Sequence, residues 1–390
     1  MSRAHRAIFV AATKQHVGKT TVSLAVTSGL LKRFSKSGVG FIKPVGQQHV
    51  PVKTSHSDST IRVDKDVCLV KEHFQLDHLD YEYMSPVIIP RGYTKDYIDG
   101  KIDHELQVQR IQNAYEHLSK DTDIMLCEGT GHVAVGSIVD LNNAQVAKML
   151  NADMVLVANG GLGSAFDELE LNRMHCQAHG VRIAGVVINK VLPEKYEQTK
   201  HYMSKALRKY WDVPLLGCVP DRPFLGCPAL ADLERLFKCE LLSGSQYRMR
   251  HYSVQDTNLV TTSLHKFLEN LRKKPTRTLY FCHCTRHDII LGFFGEYQRR
   301  LRDTKEGRME AALIVCGRKQ KYELDKEIRE MINIIDAPVL HVELSTHEAI
   351  EKVHNFTPKL NIDDTHRATK AIEHYEPYID FETLLERTSS

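Results

Sequence analysis

The residues best suited to chemistry form one short segment near the amino terminus, ATKQHVGKTT at positions 12–21. It contains Gly18-Lys19-Thr20, the second half of a Walker A phosphate loop, between a predicted strand and a predicted helix. In such loops backbone N–H groups and the start of the helix surround phosphate oxygens, the lysine reaches the terminal phosphates, and the hydroxyl binds Mg²⁺. Glycine is needed because only a residue without Cβ lets the backbone close around the anion. The segment therefore predicts a site for a phosphate chain and Mg²⁺.

A second lysine, Lys14, lies four residues before the loop glycine. This spacing matches the deviant Walker A type, KGGxxGKT, in which the extra lysine can reach a bound nucleotide across a dimer interface. A solvated turn lysine is an equal alternative. Thr13 stands where the usual pattern has its first glycine. The predicted nucleotide-binding residues of the segment are Lys14, Val17, Gly18, Lys19, Thr20 and Thr21. The predicted partners are a nucleotide, a small-molecule substrate, and a second copy of the chain or another protein.

Two further charged residues follow predicted buried strands. Lys43 begins the sequence KPVG, and Glu128 begins the sequence EGTG. Ligands of parallel α/β sheets bind at the carboxyl ends of the strands, so we expect both residues near the loop. A cation at position 43 can neutralise charge on a transferring phosphoryl group, and Lys19 and Lys43 are therefore the predicted catalytic residues. The carboxylate of Glu128 suits Mg²⁺.

The Mg²⁺ site needs a further carboxylate, which either Asp64 or Asp66 could supply. Asp66 is slightly preferred, although a solvated acidic turn is nearly as consistent with the pattern. The predicted metal ligands are thus Thr20, Asp66 and Glu128. Asn189 ends a predicted strand, where its amide could offer a donor and an acceptor to an adenine edge. The alternative is an asparagine that caps or turns the chain.

The elements that position these residues alternate between strand and helix. Short apolar runs separated by helical patterns indicate strands at 8–11, 39–42, 124–127, 153–158, 185–188 and 215–219. This pattern predicts a doubly wound parallel sheet with helices on both faces. After Val219-Pro220 a segment containing two prolines and a glycine indicates a domain connection, and a second alternation follows. We therefore predict two α/β domains, 1–226 and a smaller one at 227–390.

Composition argues against several classes of protein. A formal net charge of +3 over 390 residues gives no electrostatic support to a nucleic-acid or membrane-binding function. No apolar run approaches the ~18 residues that a membrane span needs. The nine cysteines include no CxxC pair, and few residues precede the first strand. These features predict a cytoplasmic protein with reduced thiols.

Five motifs together give residues 1–226 a specific resemblance. ATKQHVGKTT, FIKPVG, LCEGTGH, GVVINKV and LLGCVPD occur in the order found in the dethiobiotin synthetase family and in the related N-terminal domain of long phosphate acetyltransferases. The resemblance implies a P-loop NTPase fold that binds ATP with Mg²⁺. It places Lys19, Thr20, Asp66 and Glu128 around phosphates and metal, Asn189 at adenine, and Lys43 near the substrate. In dethiobiotin synthetase the reaction phosphorylates a carbamate and then closes a cyclic urea.

The chain departs from that family on the substrate side. Gln15 and His16 stand where a threonine and a glutamate usually precede VGK, and Gln47 replaces a substrate-contacting serine.

The second domain resembles, more loosely, the DRTGG domain of long phosphate acetyltransferases, through TRHDI at 285–289 and LNIDD at 360–364. Two functions stay open. One is ATP hydrolysis or phosphoryl transfer to a small carboxylate or carbamate, and the other is non-catalytic nucleotide sensing or scaffolding.

Overall fold

A computed structural model describes the protein over residues 6–54, 59–273, 277–302, 309–317 and 326–388. The strands are β1 (Arg6–Ala12), β2 (Val39–Ile42), β3 (Val45–Gly46), β4 (His49–Lys53), β5 (Thr60–Asp64), β6 (Val87–Ile88), β7 (Ile124–His132), β8 (Asp153–Asn159), β9 (Ile183–Val191), β10 (Leu215–Pro220), β11 (Leu241–Ser243), β12 (Thr257–Leu259), β13 (Leu279–His283), β14 (Ala312–Cys316) and β15 (Val339–Val342). The helices are α1 (Lys19–Leu31), α2 (Lys65–Phe74), α3 (Tyr81–Met84), α4 (Tyr93–Ile98), α5 (His104–Ser119), α6 (Asn143–Met149), α7 (Gly163–Ala178), α8 (Tyr196–Trp211), α9 (Leu230–Phe237), α10 (Leu264–Lys273), α11 (His287–Arg302), α12 (Lys326–Ile334), α13 (Thr346–His354), α14 (Thr365–Tyr375) and α15 (Phe381–Arg387). None of these helices combines the length and the apolar character needed to cross a membrane.

The chain forms two compact units, and both of its terminal segments belong to the first one. The first unit comprises Met1–Arg222 and Leu360–Ser390, and the second comprises Pro223–Lys359. The sequence-based division placed 360–390 in the second domain, and the structure differs there because α14 and α15 pack on the first unit. The LNIDD motif at 360–364, which supported the DRTGG resemblance, therefore lies in the first unit.

The first unit is built on a six-stranded parallel sheet of order β10-β9-β8-β1-β7-β2. From β1 the chain moves to β2 at one edge, returns to β7, and then continues through β8, β9 and β10 on the other side. Because crossovers between parallel strands are right-handed as a rule, this reversal of direction places helices on both faces of the sheet. The doubly wound parallel sheet predicted from the sequence is confirmed.

Strand β1 occupies the middle of this sheet. Its residues from Ala7 to Ala12 are at most 4% exposed. A central parallel strand is covered on both faces, so a continuous apolar run replaces the usual alternation. The loop at 13–18 leaves β1 at the carboxyl edge of the sheet, between β7 and β8, which is where ligands of such sheets bind.

The carboxyl-terminal segment is anchored on β10 and α1. Ile379 forms an antiparallel bridge with Gly217 of the edge strand. The ring of Phe381 packs so closely on Gly29 that a Cβ there would lie 2.0 Å from it. The Arg33 guanidinium lies 4.3 Å from the centroid of the same ring. A glycine within α1 is therefore needed to admit an aromatic ring from the far end of the chain.

The second unit contains a five-stranded sheet of order β11-β15-β14-β13-β12, parallel except at β11. Its parallel strands follow chain order, so the crossover helices α10, α11 and α12 cover one face, and α9 and α13 cover the other. The smaller α/β domain predicted to follow the first is confirmed. The apolar pattern of 324–335 predicts a helix, of which the structure describes Lys326–Ile334, and Leu324 lies outside the described residues.

Glu296, on α11, is the centre of an ionic cluster in the second unit. Its carboxylate is 1% exposed and accepts hydrogen bonds from Arg299 at 2.6 Å, Arg272 at 3.0 Å and Arg300 at 3.2 Å. Burial raises the pKa of Glu296, but the three arginines outweigh this effect and lower the pKa to about 2. The carboxylate is therefore ionised in the folded protein.

Glu296→Gln should lower the free energy of unfolding by about 2–3 kcal/mol at pH 7, because the buried Arg300 keeps its charge and loses its carboxylate partner. A carboxyl group whose pKa is lowered by folding stabilises above its unfolded pKa and loses that contribution as the pH falls toward the folded value. The difference between wild type and variant in urea unfolding should therefore shrink between pH 4.5 and pH 2. The control Glu330→Gln removes a well-exposed pair with Lys326 and should cost below about 0.5 kcal/mol. A Glu296→Gln deficit that does not change with pH would contradict this account.

Candidate functional site

The phosphate loop leaves β1 and ends in the first turn of α1. Gly18 caps this helix at φ +96°, in the left-handed region that favours glycine. A Cβ at Gly18 would also lie 2.4 Å from Nδ2 of Asn189. The N–H groups of Lys19, Thr20 and Thr21 in the first turn have no partner within the helix, and such groups form an anion site. The loop therefore has the backbone of a phosphate-binding site.

Five of the predicted side chains converge at the carboxyl edge of the sheet. Lys19 Nζ lies 2.8 Å from Oε1 of Glu128, and the Thr20 hydroxyl donates to the same oxygen at 3.0 Å. Thr20 Oγ1 also lies 3.4 Å from Oδ2 of Asp66. Lys43 Nζ contacts Asp66 and lies 3.6 Å from Oε1 of Glu128. The structure thus brings together both predicted catalytic lysines and all three predicted metal ligands.

Lys43 is buried among carboxylates. Its side chain is 6% exposed, and its Nζ lies 3.1 Å from Oδ1 of Asp64 in addition to the contacts with Asp66 and Glu128. Burial lowers the pKa of Lys43, but the three carboxylates outweigh this effect and raise the pKa above its ordinary value. Burial raises the pKa of Asp66, but nearby lysines, Lys43 above all, bring it below its ordinary value. Lys43 is therefore a cation and Asp66 an anion at neutral pH.

The oxygen atoms of this cluster fit a Mg²⁺ ion. Glu128 is fully buried, and its Oε2 has no hydrogen-bond partner among the described residues. An unpartnered buried carboxylate oxygen is costly unless a cation or a donor satisfies it. Within the described ranges, no three His, Cys, Asp or Glu side chains form a metal cluster by themselves. Mg²⁺ commonly takes one or two carboxylates and completes its shell with phosphate and water, which is the set that Asp66, Glu128 and Thr20 would support.

Asp64 and Asp66 have different tasks although they lie two residues apart. The Asp64 carboxylate accepts from the backbone N–H of Gln47 at 3.0 Å, Gln48 at 3.2 Å and Asp66 at 3.0 Å. It therefore caps α2 and anchors the turn after β3. Asp66 instead directs its Oδ2 toward Thr20. Of the two alternatives that the sequence left open, Asp66 is the one that faces the loop hydroxyl.

Asn189 lies at the loop, fully buried. Its Nδ2 donates to the carbonyl oxygen of Val17 at 2.7 Å, and its Oδ1 accepts from the N–H of Lys190 at 2.8 Å. Both ends of the amide are thus bonded to the backbone of the protein. The structure gives Asn189 the task of holding the phosphate loop, and its contact with adenine stays a prediction.

Lys14 lies at the outer side of the loop, about half exposed. Its Nζ lies 2.6 Å from Oε1 of Glu168 on α7, and the Thr13 hydroxyl donates to the other oxygen of Glu168 at 3.1 Å. An exposed pair of this kind contributes at most about 1 kcal/mol, so Lys14 can exchange its partner at low cost. Its reach to a nucleotide across a dimer interface stays a prediction.

Three residues near the loop escaped the sequence reasoning: Glu168, Lys190 and Tyr375. Lys190 Nζ donates to the carbonyl oxygen of His16 at 2.7 Å. Lys190 belongs to the motif GVVINKV, so the motif itself offered a signal. Glu168 and Tyr375 lie in helices that carry no motif, and no local pattern connects them to the loop.

Comparisons with known proteins identify the family of the first unit. The family model described as an AAA domain matches residues 6–229. The phosphate acetyltransferase of Synechocystis sp. is 25% identical over 97% of this chain and 51% of its own length. The ATP-dependent dethiobiotin synthetase of Methanococcus vannielii is 26% identical over 55% of this chain and 93% of its own length. The chain therefore spans about half the length of the curated phosphate acetyltransferase that it matches.

Among solved structures, the MinD cell division protein of Aquifex aeolicus shares a more distant likeness. The superposition covers 56% of this chain and 84% of the MinD chain, with a TM-score of 0.34 and 16% sequence identity. The strand order and the loop described above therefore define the fold more directly than this likeness does.

Proposed function

Because the chain belongs to the AAA domain family, whose model matches residues 6–229, we propose that its first unit binds ATP with Mg²⁺ and acts on the terminal phosphoryl group. The observation that carries the proposal is the convergence of Lys19, Thr20, Lys43, Asp66 and Glu128 beside the phosphate loop. Phosphoryl transfer is catalysed mainly by positioning and by stabilising charge. Such catalysis needs positive charge at the phosphates. Lys19 and Lys43 supply two ammonium groups beside the loop, and Thr20, Asp66 and Glu128 are the proposed ligands of Mg²⁺.

Each of these residues has a task in the proposed reaction. The N–H groups from Gly18 onward and the ammonium of Lys19 hold the terminal phosphates. Thr20, Asp66 and Glu128 hold Mg²⁺, which neutralises phosphate charge when bound. The three carboxylates hold the Lys43 ammonium at the edge of the site before any ligand binds. The ammonium therefore needs to move little in order to stabilise charge on the transferred phosphoryl group.

The proposed acceptor is a small carboxylate or carbamate. Support comes from the relative whose name states ATP-dependent dethiobiotin synthesis and which this chain matches over 93% of that relative's length. The buried cation of Lys43 is suited to hold an anionic acceptor near the loop. Gln47, exposed directly after the segment that Lys43 begins, differs from the family residue there, so the acceptor is expected to differ from the biotin precursor.

A second candidate function is nucleotide sensing without turnover. It is favoured by the similarity to phosphate acetyltransferase, which extends over 97% of this chain and thus includes the second unit. It is also favoured by Gln15, His16 and Gln47, which replace family residues on the substrate side. In this alternative, ATP occupancy alters a partner or a second copy of the chain.

Turnover distinguishes the two candidates. Purified protein with Mg-ATP should release ADP faster when small carboxylates, or amines with bicarbonate, are added, and EDTA should stop the release. Thr20→Val removes the loop hydroxyl and should lower this rate at least about tenfold. Lys36→Ala, at an exposed lysine beyond α1, is the control and should leave the rate unchanged. Saturable ATP binding without acceptor-dependent ADP release would instead support nucleotide sensing.

A further inference from the structure

The two strands that carry the site separate directly after Glu128. In the parallel pairing of β1 with β7, Val10 lies opposite Glu128, and Ala12 lies opposite His132. One residue of β1 therefore faces three residues of β7, at 129–131, and the longer stretch forms a bulge. A bulge redirects the chain around it, so its two ends decide where Glu128 lies relative to the phosphate loop that follows β1.

Asn143, the first residue of α6, holds the middle of this bulge. Its Oδ1 accepts from the backbone N–H of Thr130 at 3.0 Å, and its Nδ2 donates to the carbonyl oxygens of Thr130 at 2.8 Å and His132 at 2.7 Å. A Cβ at Gly129 would lie 2.6 Å from Oδ1 of Asn143, so glycine is needed for this close approach. One side-chain amide therefore satisfies backbone groups that the bulge takes out of the strand pairing.

Asn172, on α7, closes the far end of the bulge. Its Oδ1 accepts from the backbone N–H of Val133, the residue directly after β7, at 3.1 Å. Its Nδ2 donates to the carbonyl oxygen of Thr13, the first residue of the phosphate loop, at 3.3 Å. An amide nitrogen carries two N–H groups, so Nδ2 also donates to the carbonyl oxygen of Glu168, one turn earlier in α7, at 2.8 Å. The amide thus bridges the ends of two neighbouring strands as a peptide group of a strand between them would.

The Thr13 end of this bridge is held by two further bonds. The backbone N–H of Thr13 donates to the carbonyl oxygen of Val157 in β8 at 2.9 Å, and its hydroxyl donates to Glu168 at 3.1 Å. Asn172 is 8% exposed, and a buried backbone group that loses its partner costs its full desolvation free energy. The bridge therefore ties the segment that follows Glu128 to a fixed point at the start of the phosphate loop.

We propose that Asn172 is a positioning residue of the phosphate and metal site, which keeps the phosphate loop and the Glu128 carboxylate at one separation and touches no ligand itself. The proposal rests on the proposed function, because it assumes that the loop holds phosphates and that Glu128 holds Mg²⁺. A complex of ATP with Mg²⁺ contacts both segments at once, so its binding needs the correct separation. ATP without metal needs the loop alone, and its binding depends less on Asn172.

Asn172→Leu tests this role, because leucine is similar in size and forms no side-chain hydrogen bond. Binding of ATP is measured by calorimetry in the presence of Mg²⁺ and in the presence of EDTA. We expect Asn172→Leu to weaken Mg-ATP about 3- to 20-fold and metal-free ATP less than about 2-fold. Asn172→Ala leaves room for water beside the two backbone groups and should show the same difference between the ligands with a smaller loss. This second variant keeps the test available if the leucine variant does not fold.

Cys176→Ala is the matched control, since it removes a fully buried side chain from the same helix one turn further on. It should lower the unfolding temperature and leave both affinities as in the wild type. If the Asn172 variants also lose stability but keep both affinities, their role is structural and the proposal is wrong. Equal weakening of ATP in Mg²⁺ and in EDTA would also overturn it, by assigning Asn172 to the loop alone. A wild-type protein that binds ATP in neither condition would refute the proposed function instead.

Discussion

Lys19→Ala should remove nearly all of the thermal stabilisation that Mg-ATP gives to the wild-type protein. A ligand that binds only the folded state stabilises it by about 2.7 kcal/mol at a hundredfold excess over Kd. The Lys19 side chain is 11% exposed and its Nζ lies 2.8 Å from Oε1 of Glu128, so bonds from Lys19 to phosphate would form in a poorly solvated place. Loss of charge-assisted hydrogen bonds there should weaken binding about 100-fold. At the same ATP concentration the stabilisation should then fall below about 0.5 kcal/mol.

The measurement is the shift in unfolding temperature with Mg-ATP, and each variant's own ligand-free value serves as its reference. This reference separates nucleotide binding from any change in stability that follows from the loss of the Glu128 contact. Lys36→Ala is the control, because it also removes one lysine from the first unit but at an exposed position beyond α1. If Lys19→Ala kept the full ATP-dependent shift, the nucleotide would have to bind elsewhere.

Lys43→Met should destabilise the ligand-free protein by about 3–5 kcal/mol at pH 7, because it leaves buried carboxylates without their main cation. Without Lys43, burial would raise the pKa of Asp66 above the ordinary value of 3.8. A group whose folded pKa is raised in this way destabilises most at high pH, and protonation relieves the effect as the pH falls. The deficit relative to wild type, measured by urea unfolding, should therefore shrink from pH 7 to pH 4.5.

Millimolar Mg²⁺ provides a second readout for the same variant. If Asp66 and Glu128 are metal ligands, Mg²⁺ should stabilise Lys43→Met more than it stabilises the wild type, because it restores positive charge among the carboxylates. Lys71→Met is a matched control, since Lys71 is also a buried lysine but donates to the carbonyl oxygens of Leu76 and Leu79. Its deficit should not respond to Mg²⁺. An equal Mg²⁺ response in the two variants would remove the metal assignment.

Much of the site could be predicted because its residues lie in or just after the carboxyl-terminal halves of parallel strands. Lys43 follows β2, Glu128 lies in β7, and the loop follows β1. The carboxyl ends of parallel strands meet at one edge, so a motif at each end indicates a common cleft even without coordinates. The same rule brought Asn189 to the loop at the end of β9. It could not indicate which partner the amide would choose, because the Val17 carbonyl is 172 positions away in the chain and reaches the amide only through folding.

The domain boundary shows the opposite case. A break in pattern after Pro220 predicts a domain connection, since proline and glycine act locally on the backbone, and the two compact units divide between Arg222 and Pro223. Nothing in the helical pattern of 365–375 indicates whether the helix packs on the unit before it or on another one. An amphipathic pattern states that one face is buried and leaves its partner undefined.

The amino-acid pattern alone predicts the parallel α/β sheets, the phosphate loop and the charged groups at its edge, because a short local motif or pattern signals each of them. Three-dimensional packing is what assigns Asn189 to the Val17 carbonyl, places Lys43 among three carboxylates, and returns Tyr375 and Phe381 to α1. These contacts join residues separated by up to several hundred positions, and their selection depends on shape and charge complementarity between surfaces that exist only after folding.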